Sequence, residues 1–158
     1  MDDLHWTPAH AELHRVMKRE IETLRELLAN LHQEELLILQ KETSYWKTLM
    51  EERRALVEQL NDLKQSRLVA IKSLEESAVQ TNLSLEQLLP LSHASSWEIL
   101  SLRDQILTLS DRMSLQSSRN EMLTQLAHHQ SELKPVQKKK ITLATESREL
   151  YNNEDDAI

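Results

Sequence analysis

The chain has 158 residues, 19 basic against 26 acidic for a formal charge of −7, and contains neither glycine nor cysteine. Glycine enters positive φ without steric cost, so its absence excludes phosphate-cradling loops, primed hairpin turns and nucleophile elbows in their usual form, and with them most enzymes. The acidic balance excludes an overall nucleic-acid surface, and the missing thiols exclude disulfides, thiol catalysis and thiolate metal sites.

Leucine occurs 30 times among many Glu, Gln, Lys, Arg and Ala residues. All of these favour helix, and the expected fold class is all-α. The longest aliphatic run, Leu36 to Leu39, is far short of the roughly 20 apolar residues of a membrane span. The acidic opening Met1-Asp2-Asp3-Leu4-His5-Trp6 lacks the basic and apolar regions of a secretory signal. The expectation is a soluble, cytoplasmic protein with no membrane insertion.

Thr7 and Pro8 predict a helix start, an N-cap followed by proline at the first helical position, where a missing N–H costs nothing. Apolar positions at Met17, Ile21, Leu24, Leu28, Leu31, Ile38, Tyr45, Leu49, Leu56, Leu60 and Leu63 step by three and four or their multiples, the mark of one helical face. Further apolar residues at Leu27, Leu36, Leu37, Leu39, Val57, Val69 and Ile71 widen the stripe, as expected of a helix packed against more than one neighbour. No proline interrupts residues 9 to 80. One helix of roughly 70 residues and roughly 100 Å is expected there, with a possible break near Thr43-Ser44.

Ser84 and Gln87 have capping-box spacing ahead of Leu88 and Leu89, which predicts a short helix ending around Pro90. Ser92 to Ser96 reads as a polar reversal. Ile99, Leu102, Ile106, Leu109, Met113, Gln116, Asn120, Leu123 and Ala127 then repeat the three-four step, predicting a helix antiparallel to the first. Pro135 ends the pattern and is followed by Lys138-Lys139-Lys140 and the acidic stretch Glu154-Asp155-Asp156. The expected architecture is an elongated antiparallel helical bundle or coiled coil of two long helices, with a short connecting helix and a flexible C-terminal tail. The expected boundaries are 1–133 for the bundle and 134–158 for the tail.

The tail is too polar to pack alone, yet Ile141, Leu143, Leu150 and Tyr151 could form an amphipathic helix if a partner provides the other half of a groove. With Leu126 and Leu133 at the end of the preceding helix, they are the candidate partner-binding residues.

Several residues invite sharper chemistry. His10 and His14 are spaced i, i+4 as in a metal pair, but Glu12 sits about 200° around the helix from His10 and cannot serve as a zinc-protease base. No third ligand is visible, and no metal, cofactor or catalytic residue is expected. Trp6, Trp46 and Trp97 are read as packing anchors, with Trp6 the one that could face a partner. Met17, Met50, Met113 and Met122 are read as core filling, and Lys138 to Lys140 as a solvated linker.

From about residue 11 to 130 the pattern resembles the flagellar and type III export chaperones that hold hook-associated proteins before secretion. The resemblance rests on Leu24-Arg25-Glu26-Leu27-Leu28 through Glu34-Glu35, on Glu51-Glu52-Arg53-Arg54-Ala55-Leu56, on Leu83-Ser84-Leu85-Glu86-Gln87-Leu88 and on Arg119-Asn120 through Leu123. Arg53 stands where the family has lysine, and Asn120 is the one asparagine present of its usual Asn-rich stretch. The resemblance implies a non-enzymatic cytosolic chaperone, monomeric or homodimeric, whose C-terminal segment binds the terminal helical region of a secreted cargo and prevents premature assembly. It implies contact with the export apparatus as well. The alternative is a structural coiled-coil scaffold or stalk.

Overall fold

A computed structural model of the chain describes residues 8–80 and 93–132, with side chains placed for residues 8–76 and 97–132. It contains three helices, α1 (Pro8–Gln40), α2 (Trp46–Gln80) and α3 (His93–Glu132), and no strand among the described residues. The fold is all-helical. The predicted short helix around Ser84–Leu89, Trp6, and the segment 134–158 lie outside the described residues.

The single 70-residue helix expected over 9–80 is two helices. Lys41 takes φ 54°, its amide donates to the Ile38 carbonyl, and the Glu42 amide donates to the Leu37 carbonyl at 3.0 Å. This pair of bonds is the Schellman arrangement, which closes the last turn of α1 and sends the chain away from the helix axis. A Glu42 carboxylate oxygen then accepts from the Ser44 amide at 2.9 Å, and α2 starts at Trp46. Tyr45, expected on the stripe, sits exposed in this turn.

Polar links fix the direction of each helix pair. Asn30 donates to the Leu49 carbonyl, and Glu20 pairs with Arg67, so α2 runs antiparallel to α1. His14 meets Glu98 and Glu35 meets Arg119, so α3 runs parallel to α1. The expectation of a third segment antiparallel to the first is corrected. Because the chain turns at Lys41, α2 ends beside the start of α1, and a third helix that begins at that end must run up alongside α1 again.

Both α2 and α3 pack on α1, and they make no close backbone approach to each other. The burial patterns follow from that. On α2 the buried and half-buried positions include Leu49, Arg53, Leu56, Leu60, Leu63, Arg67, Ala70 and Leu74, an alternation of four and three residues that suits contact with one neighbour, with Trp46, Met50 and Ile71 half-buried beside it. On α3 they include Ile99, Leu102, Ile106, Leu109, Met113, Gln116, Asn120, Leu123 and Ala127. The central α1 buries a broader face that includes Leu13, Val16, Met17, Glu20, Ile21, Thr23, Leu24, Leu27, Asn30 and Leu31.

The apolar core joins Leu13, Met17, Ile21, Leu24 and Leu27 of α1 to Leu60, Ala70 and Leu74 of α2 and to Ile99, Leu102, Ile106 and Leu109 of α3. Each fully buried aliphatic side chain of this kind contributes about 1.5–3 kcal/mol relative to exposure. The core therefore lies toward the end of the bundle where α1 begins, leaving the turn end with other interactions.

Candidate functional site

Past the apolar core, a polar layer ties the three helices together. Asn120 of α3 donates through Nδ2 to the Leu31 carbonyl and to Glu34 Oε2, both at 2.8 Å. Arg53 of α2 donates to that same Glu34 oxygen at 2.8 Å and, through Nε, to Asn30 Oδ1 at 2.8 Å. Asn30 passes its own amide to the Leu49 carbonyl at 3.0 Å. Gln116 donates to Glu35 and to Asn120 Oδ1, and Arg119 holds the other Glu35 oxygen at 2.6 Å. A layer of this kind is worth its burial only when every member is satisfied, and it then selects one register because a slip would orphan several groups at once.

Beyond the polar layer the bundle opens into a groove of about 1070 Å³, the upper end of the size range of ligand pockets. Leu37 and Ile38 of α1, Trp46 and Met50 of α2 and Ala127 of α3 give it an apolar lining, while Lys41, Lys47, Arg54, Glu42 and Glu51 add charge. The register explains why it exists. Asn120 lies beside Leu31 and Glu34 and α1 stops at Gln40, so α3 runs on for roughly one to one and a half turns past the end of α1 at 3.6 residues per turn. Thr124, Ala127, Gln130 and Ser131 at this end of α3 form one wall of the groove, and Trp46, Lys47, Met50, Glu51 and Arg54 of α2 another.

Around the groove, the Glu42 carboxyl is held below the usual carboxylate range by its hydrogen bonds to Ser44. Lys47 pairs with Glu51 at 3.8 Å. At the other end, burial pushes the Glu20 carboxyl up, against the pull of Arg67 and Lys64, and burial holds the His10 imidazole below its ordinary value.

Of the candidate partner-binding residues, Leu126 alone falls among the described residues. It is 40% exposed and does not line the groove; its neighbours Thr124 and Ala127 do. Leu133, Ile141, Leu143, Leu150 and Tyr151 lie outside the described residues. The tryptophans divide: Trp46 is half-buried in the groove, whereas Trp97, expected to anchor packing, is 76% exposed. Met17 is core, Met50 lines the groove, and Met122 is exposed rather than core-filling. His14 Nε2 lies 2.6 Å from Glu98 Oε1 across α1 and α3, and no group of three or more His, Asp or Glu is placed to hold a metal among the described residues. None of the helices is long and apolar enough to cross a membrane among the described residues.

A second surface lies on the outside of α3. Trp97, Leu107, Leu115, Met122 and Leu126 are exposed and fall within an arc of about 100° at 3.6 residues per turn, roughly opposite the buried stripe. The groove residues Leu37, Trp46 and Met50 were not singled out by sequence as a binding set. Their one signal was the excess of apolar residues around Leu36 to Leu39, which reads equally well as a second packing face. No known protein family, curated protein or solved structure matches the chain.

Proposed function

We propose that the protein is a cytosolic export chaperone that holds a secreted helical protein, of the flagellar hook-associated or type III class, and keeps it from assembling early. The observation that carries the reading is the apolar groove at the turn end of the bundle, floored by Leu37, Ile38, Trp46 and Met50. A groove walled by three helices and lacking the fourth fits the apolar face of one amphipathic helix, the recognition mode in which anchors at i, i+3, i+4 and i+7 enter a hydrophobic trough. Such a client helix exposes a face that otherwise self-associates. Burying it in the groove removes that face from water at roughly 25 cal/mol per Å², offset by the ordering of both partners.

The remaining features agree with this reading. The chain is acidic and its described residues form helices and no strand, and residues 133–158 follow in sequence from the helix that walls the groove. On this reading Leu133, Ile141, Leu143, Leu150 and Tyr151 of that segment add apolar contacts to a seated client. The heptad spacing on α2 and α3 supports coiled-coil packing within the bundle. Full-length protein and a Met50→Glu variant, each used as bait and read by mass spectrometry, test the proposal. Recovery of a secreted helical subunit with the first and its loss with the second is expected; equal recovery with both overturns the groove as the site.

One observation favours a scaffold instead, the exposed apolar stripe on α3. A scaffold that assembles through this stripe loses its partners on Leu115→Glu and keeps them on Met50→Glu, the reverse of the chaperone pattern.

A further inference from the structure

We propose that, before a client arrives, the groove at the turn end is filled by residues 141–151 of the same chain. The inference rests on reading the groove as a helix-docking site, and it names the first occupant of that site.

Connectivity brings this segment to the groove. α3 ends at Glu132, and Gln130 and Ser131 of its last turn already stand on the groove wall. The wall that α3 lends, Thr124 to Ser131, is about 10 Å long at 1.5 Å per residue. Residues 133–140 extend up to roughly 27 Å, and Pro135 stops them from continuing α3 as a regular helix. The linker is therefore long enough to turn back across the groove and has a residue that makes it leave the helix axis.

The chemistry of the two surfaces matches. Ile141, Leu143, Ala144, Leu150 and Tyr151 fall within one half of a helix circumference at 100° per residue, a face suited to Leu37, Ile38, Trp46 and Met50. Charge adds direction. Residues 141–151 carry Glu146 and Glu149 against Arg148, with Glu154, Asp155 and Asp156 just beyond them, while the groove carries Lys41, Lys47 and Arg54 against Glu42 and Glu51. Lys41 and Arg54 form no ion pair among the described residues, which leaves two cations for an acidic occupant. A tether of about this length also gives the segment an effective concentration of roughly the millimolar range. A weak intrinsic affinity is then enough to fill the groove, and a client displaces the segment when it binds more tightly.

The chain has no cysteine of its own, so introduced pairs report without background. Full-length protein carrying Met50→Cys and Leu150→Cys is oxidised, run on a non-reducing gel and mapped by peptide mass spectrometry. A second pair, Ala127→Cys with Tyr151→Cys, guards against a local fault, and Leu107→Cys with Leu150→Cys, on the outer face of α3, is the control. Circular dichroism establishes that each variant keeps its helicity. The expected result is an intramolecular disulfide in both groove pairs, with a yield unchanged over about tenfold dilution and well above the control. A disulfide between chains, with a yield that falls on dilution, overturns the proposal in favour of exchange between copies. Groove pairs that cross-link no better than the control overturn it outright. Because this experiment contains no client, its failure is separate from a failure of the Met50→Glu capture experiment.

Discussion

Asn120 of α3 donates its side-chain amide to Glu34 Oε2 at 2.8 Å, and Arg53 donates to that same oxygen from α2. One carboxylate on the central helix thus joins α2 to α3, whose backbones make no close approach among the described residues. The contact fixes how far α3 runs past α1, and so it sets the size of the groove. Asn120→Ala removes the second donor to the Leu31 carbonyl, which keeps its bond within α1, and one of the two donors to Glu34 Oε2. The expected cost is about 1–3 kcal/mol in urea denaturation. A change near zero contradicts the role given to the polar layer.

Lys41 holds a left-handed conformation at φ 54°, which costs a residue with a Cβ roughly 1 kcal/mol relative to glycine. Lys41→Gly is expected to stabilise the protein by about 0.5–1 kcal/mol, with the helix content unchanged by circular dichroism. Lys41→Val is expected to destabilise it, since β-branching makes positive φ costlier still. A destabilised glycine variant contradicts the turn geometry.

Glu20 is 1% exposed, with Arg67 Nη1 3.4 Å from its Oε2. Burial raises its carboxyl above the usual 4.5, so the native state binds that proton more tightly than the unfolded chain does. Its contribution to stability is therefore fully present below the unfolded value and declines as pH rises through the native one. Glu20→Gln is expected to remove this decline, giving a flatter profile of unfolding free energy from acid to neutral pH. Identical profiles for the two proteins contradict the assignment.

The packing face of α3 was legible residue by residue, from Ile99 to Ala127, because α3 lies on one neighbour and one neighbour demands a strict three-four repeat. The broad stripe over residues 17–63 was legible as helical, and it left the break near Thr43-Ser44 only as a possibility. Its signal would ordinarily be a glycine at the left-handed position, and here a lysine occupies it. One continuous helix over residues 9–80 implies an antiparallel third segment, whereas the turn at Lys41 makes α3 parallel to α1. The groove was not visible at all, since it arises from an overhang set by the Asn120–Glu34 register rather than by any local motif. The exposed side of α3 was missed for a related reason: Trp97 and Met122 are apolar residues on a face that the bundle does not cover.

The central claim is that the groove seats a secreted helical protein. A photo-reactive amino acid placed at Met50 of the full chain, expressed in its native cells, tests it most directly, with the same group at Leu107 on the outer face of α3 as the comparison. The account predicts that Met50 cross-links a subunit exported by the flagellar or type III route and that Leu107 does not. Adducts of Met50 confined to non-exported proteins, or the same exported subunit captured equally at both positions, would contradict it.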